Sequence, residues 1–171
     1  MRWLIGAAIA ALGILGIASA ASAETDDPSY LAFQFGVFDF VQDHNQAAAF
    51  ALEYRNGERF WLFKPVVGLM GTSDGGAYGY AGIALDLYFG NRIVVRLGFA
   101  PGAYYRGNGL DLGSVLEFRS SGEIAYRFED RSRLGITAFH LSNASTGRIN
   151  PGVEVIMLSY SMPITKLFGG N

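Results

Sequence analysis

Ala81-Gly82-Ile83-Ala84-Leu85-Asp86-Leu87-Tyr88-Phe89, the turn Gly90-Asn91-Arg92, then Ile93-Val94-Val95-Arg96-Leu97-Gly98-Phe99-Ala100 form two runs that alternate by two. One parity carries Ala81, Ile83, Leu85, Leu87 and Phe89, then Val95, Leu97 and Phe99. The other carries Gly82, Ala84, Asp86 and Tyr88, then Arg96, Gly98 and Ala100. Successive side chains of a strand point to opposite faces, so these runs make a sheet with one bulky apolar face and one small or charged face. In a soluble sandwich the large side chains fill the core and the charges face water. Here the charges travel with glycine and alanine, as a narrow interior requires. The aromatic residues gather on the opposite face, as a lipid-facing wall requires.

The theme extends through most of the chain. Eight runs lie at about 30–39, 46–55, 59–70, 77–89, 93–105, 113–128, 132–143 and 153–163. Leu31, Phe33, Phe35 and Val37 oppose Ala32, Gln34 and Gly36. Phe50, Leu52 and Tyr54 oppose Ala49, Ala51, Glu53 and Arg55. Trp61, Phe63, Pro65, Val67 and Leu69 oppose a face with Lys64 and Gly68, and Leu116, Phe118, Ile124, Tyr126 and Phe128 oppose Glu117, Arg119, Glu123 and Arg127. Tight connections at 56–58, 90–92 and 129–131 alternate with longer ones at 40–45, 71–76, 106–112 and 144–152. No segment keeps a helical period. The expected fold is all-β, an eight-stranded antiparallel transmembrane β-barrel of the bacterial outer membrane. Its bore is just wide enough to be filled by side chains. Glu53, Asp86, Glu117 and Glu123 are expected to pair there with Arg55, Lys64, Arg96, Arg119, Arg127 and Arg133. The competing architecture is a secreted lipocalin-like barrel, bulky face inward; runs of ten or more residues favour the membrane. The tight connections and both termini are expected on the periplasmic side and the long loops outside.

Composition bounds the rest. The chain has 171 residues, 50% hydrophobic and 16% charged, with no cysteine and a net charge of −2. Such apolar content excludes a disordered chain. The lack of cysteine excludes a disulfide scaffold or a thiolate metal site. The charge gives no electrostatic basis for nucleic-acid binding. No phosphate-binding glycine loop precedes a helical pattern. Residues 1–23 read as a signal peptide: Arg2, the apolar run Trp3–Ala18, then the small-x-small site Ala21-Ser22-Ala23. Residues 24–171 form the single barrel domain, with 12 basic and 15 acidic residues once Arg2 is gone. Asp26-Asp27 reads as a solvated tail, and His44, in Gln42-Asp43-His44-Asn45, as a solvated loop residue.

The last two runs break the pattern. Leu134, Ile136, Ala138, His140 and Ser142 share the lipid-facing parity, and Glu154 shares it with Ile156, Leu158 and Tyr160. A carboxylate there is costly unless paired or near the interface. The three polar residues flank one outer loop on strands joined by a hairpin. A serine, a histidine and an acid at one site form the constellation for nucleophilic acyl transfer. Taken singly, each has a plainer reading: a strand-end serine, an interfacial histidine, a loop-end carboxylate.

Phe139-His140-Leu141-Ser142-Asn143-Ala144, followed by Asn150-Pro151-Gly152-Val153-Glu154, resembles the lipid A 3-O-deacylase family, PagL. The likeness extends through Ser114-Val115-Leu116-Glu117-Phe118-Arg119-Ser120-Ser121 to Tyr160-Ser161-Met162-Pro163. It implies a lipid-facing site that hydrolyses the 3-position ester of lipid A and releases a 3-hydroxy fatty acid. Ser142 would be the nucleophile, His140 the base and Glu154 the orienting acid, with Asn143 and Asn150 as oxyanion or supporting residues. The substrate would be lipid A of lipopolysaccharide among outer-membrane lipids, with no cofactor and no metal; a homodimer is compatible with the sequence. The alternatives are a non-enzymatic structural outer-membrane barrel and an acyltransferase that passes the chain to another lipid.

Overall fold

The computed structural model describes residues 27–42 and 45–167. The expected signal peptide and His44 lie outside them. Eight strands follow in order: β1 (Tyr30–Phe38), β2 (Ala47–Arg55), β3 (Lys64–Thr72), β4 (Ala77–Phe89), β5 (Ile93–Tyr105), β6 (Leu116–Arg127), β7 (Arg133–Ser142) and β8 (Val153–Pro163). A single helical turn, α1 (Ile164–Leu167), follows. Each strand pairs antiparallel with its sequence neighbours, and β1 pairs with β8, so the sheet closes on itself. Closure leaves no edge, the condition for strands to cross hydrocarbon with every backbone group bonded. The barrel is an outer-membrane architecture, with the predicted parity in place. Phe33, Phe35, Leu69, Leu97, Ile124, Ile136 and Leu158 stand exposed on the outer wall, while Gln34, Glu53, Arg55, Arg96, Arg119 and Arg133 are buried in the bore.

The bore has two layers. Toward the termini it is ionic. Arg55 bonds Glu53 on its own strand at 2.7 Å and reaches across to Glu123 on β6 at 2.7 Å. Arg133 holds Asp86 at 3.1 Å, and Asp86 also takes Arg96 at 2.5 Å and Lys64 at 3.3 Å. Toward the other end it is apolar: Phe38, Met70, Tyr78, Leu112, Phe139, Leu141, Val153, Val155 and Met157 pack together. Arg119 sits at the boundary, its guanidinium 4.3 Å from the Phe139 ring centroid and 4.9 Å from that of Tyr80. An interior of small and charged residues throughout was the expectation; the upper half departs from it because β7 and β8 turn Leu141, Val153 and Val155 inward.

Four expectations are corrected. β3 begins at Lys64, not at 59. Residues 59–63 fold into their own two-residue hairpin, with Phe60 bridged to Phe63 and Trp61 at a φ of 66°. The β3–β4 connection is only 73–76, so short connections occur at both ends. Asp27 is not solvated: it is buried, 2.6 Å from Arg133 and 2.5 Å from Lys64. Two cations in the bore draw the segment before β1 inward. Finally, Glu117 is fully buried with neither oxygen hydrogen-bonded and no ion pair among the described residues.

Burial alone would raise the Asp27 pKa, but Arg133 and Lys64 outweigh it and hold it below the usual carboxylate value. Its stabilisation is therefore present above the ordinary aspartate pKa and lost as pH falls through the lowered one. Asp27→Ala leaves Arg133 and Lys64 sharing only Asp86. We expect a cost near the lower end of the ~3–5 kcal/mol typical of breaking a buried pair. Urea unfolding in detergent at neutral pH reads it, and the gap to the parent chain should close in acid.

Candidate active site

The end of the barrel remote from the termini carries three long connections, 39–46, 106–115 and 143–152. At its rim, on the outer wall, β7 and β8 bring His140 directly opposite Glu154 in the ladder. His140 Nδ1 lies 3.2 Å from Glu154 Oε1, with the two side chains 45% and 36% exposed. The second Glu154 oxygen is covered and unpartnered. Ser142 closes β7 on the same parity, opposite Phe118 of β6. The structure thus joins His140 to Glu154. Ser142 shares their wall, although no hydrogen bond links its hydroxyl to either of them.

The wall beside this row is low. Ser120 pairs with His140, Gly122 with Ala138, and Ala138 with Ile156. A Cβ added at Gly122 would meet nothing within 4 Å. A shallow depression of small residues therefore leads from the His140–Glu154 pair toward Ile136 and Leu158, with the lipid-exposed sheet as its floor.

The β7–β8 loop is built around Asn143. This side chain is fully buried, and its Nδ2 donates to the carbonyls of Leu112 at 2.8 Å and Ile149 at 2.7 Å. One amide hydrogen thereby ties the loop to its neighbour from β5–β6 and the other closes the loop on itself. The Asn143 backbone N–H donates to Asn150 Oδ1 at 3.1 Å. Between them the chain turns through Ala144 and Ser145, at φ 52° and 63°, and Thr146 N–H closes the turn on the Asn143 carbonyl at 3.0 Å. Ala144 and Ser145 are exposed, immediately after Ser142. Arg148 is exposed in the same loop.

Gly152 went unremarked as a functional residue. Its φ is 67°, and a Cβ there would lie 2.6 Å from His140 Cε1 and 3.2 Å from Nε2. The imidazole edge at Cε1 and Nε2 occupies the space that a side chain at Gly152 would need, so the ring packs closely on this glycine. A glycine two residues before an outward-facing acid was the available signal. Beneath the loop lies Glu117. Its tyrosine neighbours give their hydroxyls to backbone carbonyls instead: Tyr78 to Glu117 at 3.1 Å, Tyr104 to Leu110 at 2.9 Å.

A family model described as "Lipid A 3-O-deacylase (PagL)" matches residues 30–163. Among solved structures, the chain is similar to one titled "Crystal structure of the outer membrane enzyme PagL". It is 18% identical to that structure with a TM-score of 0.64, covering 78% of this chain and 99% of that chain. It is also similar, at 8% identity and a TM-score of 0.47 with the same coverage, to the Yersinia pestis outer membrane protein Ail in a phospholipid bilayer nanodisc. No curated protein matches the sequence.

Two outcomes follow from this geometry. Gly152→Ala should displace the imidazole and cost most of the hydrolytic activity. Heat-modified gel migration should stay unchanged, since the strands do not depend on that contact. Glu117→Gln keeps the shape and removes a carboxyl that pairs with no cation among the described residues. Its unfolding midpoint in detergent should equal or exceed that of the parent chain.

Proposed function

The chain belongs to the lipid A 3-O-deacylase (PagL) family of ester hydrolases, and from that premise we propose that Ser142, His140 and Glu154 act as one nucleophilic unit on the 3-position ester of lipid A. The observation that carries this reading is the 3.2 Å contact between His140 Nδ1 and Glu154 Oε1 on the lipid-facing wall. An acceptor at Nδ1 places the proton there and leaves Nε2 as the basic nitrogen. Ser142 sits two residues along on the same face. Its bond to Nε2 is one that forms as substrate seats, as catalytic hydrogen bonds commonly tighten only in the substrate complex.

His140 takes the Ser142 proton as the hydroxyl oxygen attacks the ester carbonyl. Glu154 holds the tautomer and stabilises the imidazolium. The tetrahedral oxyanion needs donors. Asn143 has spent its side-chain hydrogens and its own amide on the loop, so it and Asn150 serve as support. The amides of Ala144 and Ser145, on exposed residues immediately after the nucleophile, are the donors we assign to it. One such donor is typically worth ~3 kcal/mol. Collapse of the intermediate expels the sugar oxygen, which takes the proton from His140. Water then attacks the acyl-serine, with His140 again as base, and releases the 3-hydroxy fatty acid.

The acyl chain lies along the depression at Ser120, Gly122 and Ala138, outside the bore. The apolar plug and the ionic layer fill the inside. The site then faces the outer leaflet, with the termini and the connections 56–63, 90–92 and 128–132 on the periplasmic side, and Arg148 is placed to meet a lipid A phosphate. Cleavage after Ala23 would give a chain beginning at Glu24. Intact mass of protein isolated from outer membranes reads that start directly.

Mass spectrometry of lipid A from cells with and without the protein tests the reaction. Ser142→Ala and His140→Ala should each lower hydrolysis by roughly a thousandfold or more, and no further when combined. Glu154→Ala should cost less. Full turnover by purified, folded Ser142→Ala would remove the serine from the mechanism. Ala138→Trp should change rate or chain-length preference, whereas Ala81→Trp, on the outer wall of β4 away from the site, should change neither. An effect of Ala81→Trp equal to that of Ala138→Trp would remove the acyl chain from this wall.

A further inference from the structure

The hairpin Phe60-Trp61-Leu62-Phe63 is the most exposed apolar segment among the described residues. Phe60 is 84% exposed, Trp61 89% and Leu62 62%. It is also strained. With Phe60 bridged to Phe63, Trp61 and Leu62 are the two central residues of the turn, and Trp61 takes a φ of 66°. The first central position with positive φ is one where glycine is favoured. A bulky aromatic residue there is an outlier, and such strain persists where surroundings or function sustain it. Among the described residues nothing covers the tip, so contacts within the barrel do not explain the tryptophan.

Its position does. The hairpin joins β2 to β3 at the end of the barrel that carries the termini, remote from the His140–Glu154 pair. The outer wall at that end is ringed by Tyr54, Phe89, Tyr126, Phe128 and Tyr160, all exposed. Tyr126 and Phe128 meet edge to face at 5.2 Å, with the Arg92 guanidinium 6.0 Å from the Tyr126 centroid. Such a belt of aromatic rings beside a cation marks the headgroup level of a membrane wall. Phe60–Phe63 continues that belt past the last ladder pairs of β2 and β3. In water, four consecutive apolar residues on a turn tip would be an aggregation liability.

We propose that the 60–63 hairpin is a membrane anchor. Trp61 and Leu62 insert into the phospholipid headgroup layer on the terminus-bearing side and fix how deep and at what tilt the barrel sits. The indole suits that layer, since its body is apolar and its N–H reaches headgroup oxygens and water. The anchor rests on the membrane-spanning barrel alone and is independent of which residues carry out hydrolysis.

The chain has two tryptophans, Trp3 and Trp61. Trp3→Phe therefore leaves Trp61 as the single reporter whether or not the leader is removed. The protein carrying Trp3→Phe is isolated from outer membranes and reconstituted into phosphatidylcholine–phosphatidylglycerol vesicles containing brominated phosphatidylcholine. The expected result is blue-shifted emission. Bromines high on the acyl chain should quench it more strongly than bromines near the chain end, and aqueous iodide should do so weakly. Adding Phe60→Ser and Leu62→Ser should shift the emission to the red and lose the bromolipid quenching, while gel migration still reports a closed barrel. Emission typical of a water-exposed indole, quenched by iodide and indifferent to bromolipid, would overturn the proposal. So would a blue shift that fades on dilution into more vesicles without bromolipid quenching, which would assign the contact to a second copy of the chain.

Discussion

Arg55 crosses the bore from β2 to Glu123 on β6 while holding Glu53 on its own strand. This contact, with the Arg133–Asp86–Lys64 cluster beside it, sets the terms for the rest of the barrel. A strand that slipped by one residue would send its buried charges into lipid and its bulky residues into the bore. The ionic layer therefore ties the register of strands that are far apart around the ring. That register is what puts His140 opposite Glu154 on the outer wall. The ion pairs are a specificity device more than a source of net stability, because desolvating so many charges offsets much of their attraction.

The parity of the runs was enough to read the fold. Glycine, alanine and charge on one face, aromatic and branched residues on the other, hold through β1, β2 and β4 to β6. Parity also placed His140, Ser142 and Glu154 on one wall. Several other features depend on relations that a local pattern does not contain. The pairing of His140 with Glu154 is set by a ten-residue loop, and parity says only that both face outward. Asp27 folds inward because Arg133 and Lys64, distant in sequence, otherwise share the single carboxylate of Asp86. Phe60–Phe63 is continuously apolar and reads as the start of the β3 run; nothing in its composition announces a turn, since Trp61 takes a position usually given to glycine. Gly152 was visible as part of a motif, but its contact with the imidazole is a matter of three-dimensional approach.

The proposed site differs from that of a water-soluble hydrolase in what surrounds it. Around His140 the described residues form a wall with a depression where Gly122 and Ala138 lack bulk, and the membrane lies against it. The substrate's hydrocarbon is already in its preferred solvent before it meets the protein, so burying the acyl chain supplies little driving force. Selectivity must then come from the shape of the wall and from groups at headgroup depth. The rim loops supply the latter, and Asn143 holds two of them together.

The filled bore has a consequence for the cell. With Arg55 and Arg133 bridging its lower half and Phe38, Leu141, Val155 and Met157 packed through the upper half, the described residues fill the bore and leave no open channel among them. A bacterium can therefore raise the abundance of this protein without opening its envelope to small toxic solutes. Lipid A deacylation and retention of the permeability barrier are compatible within the same molecule.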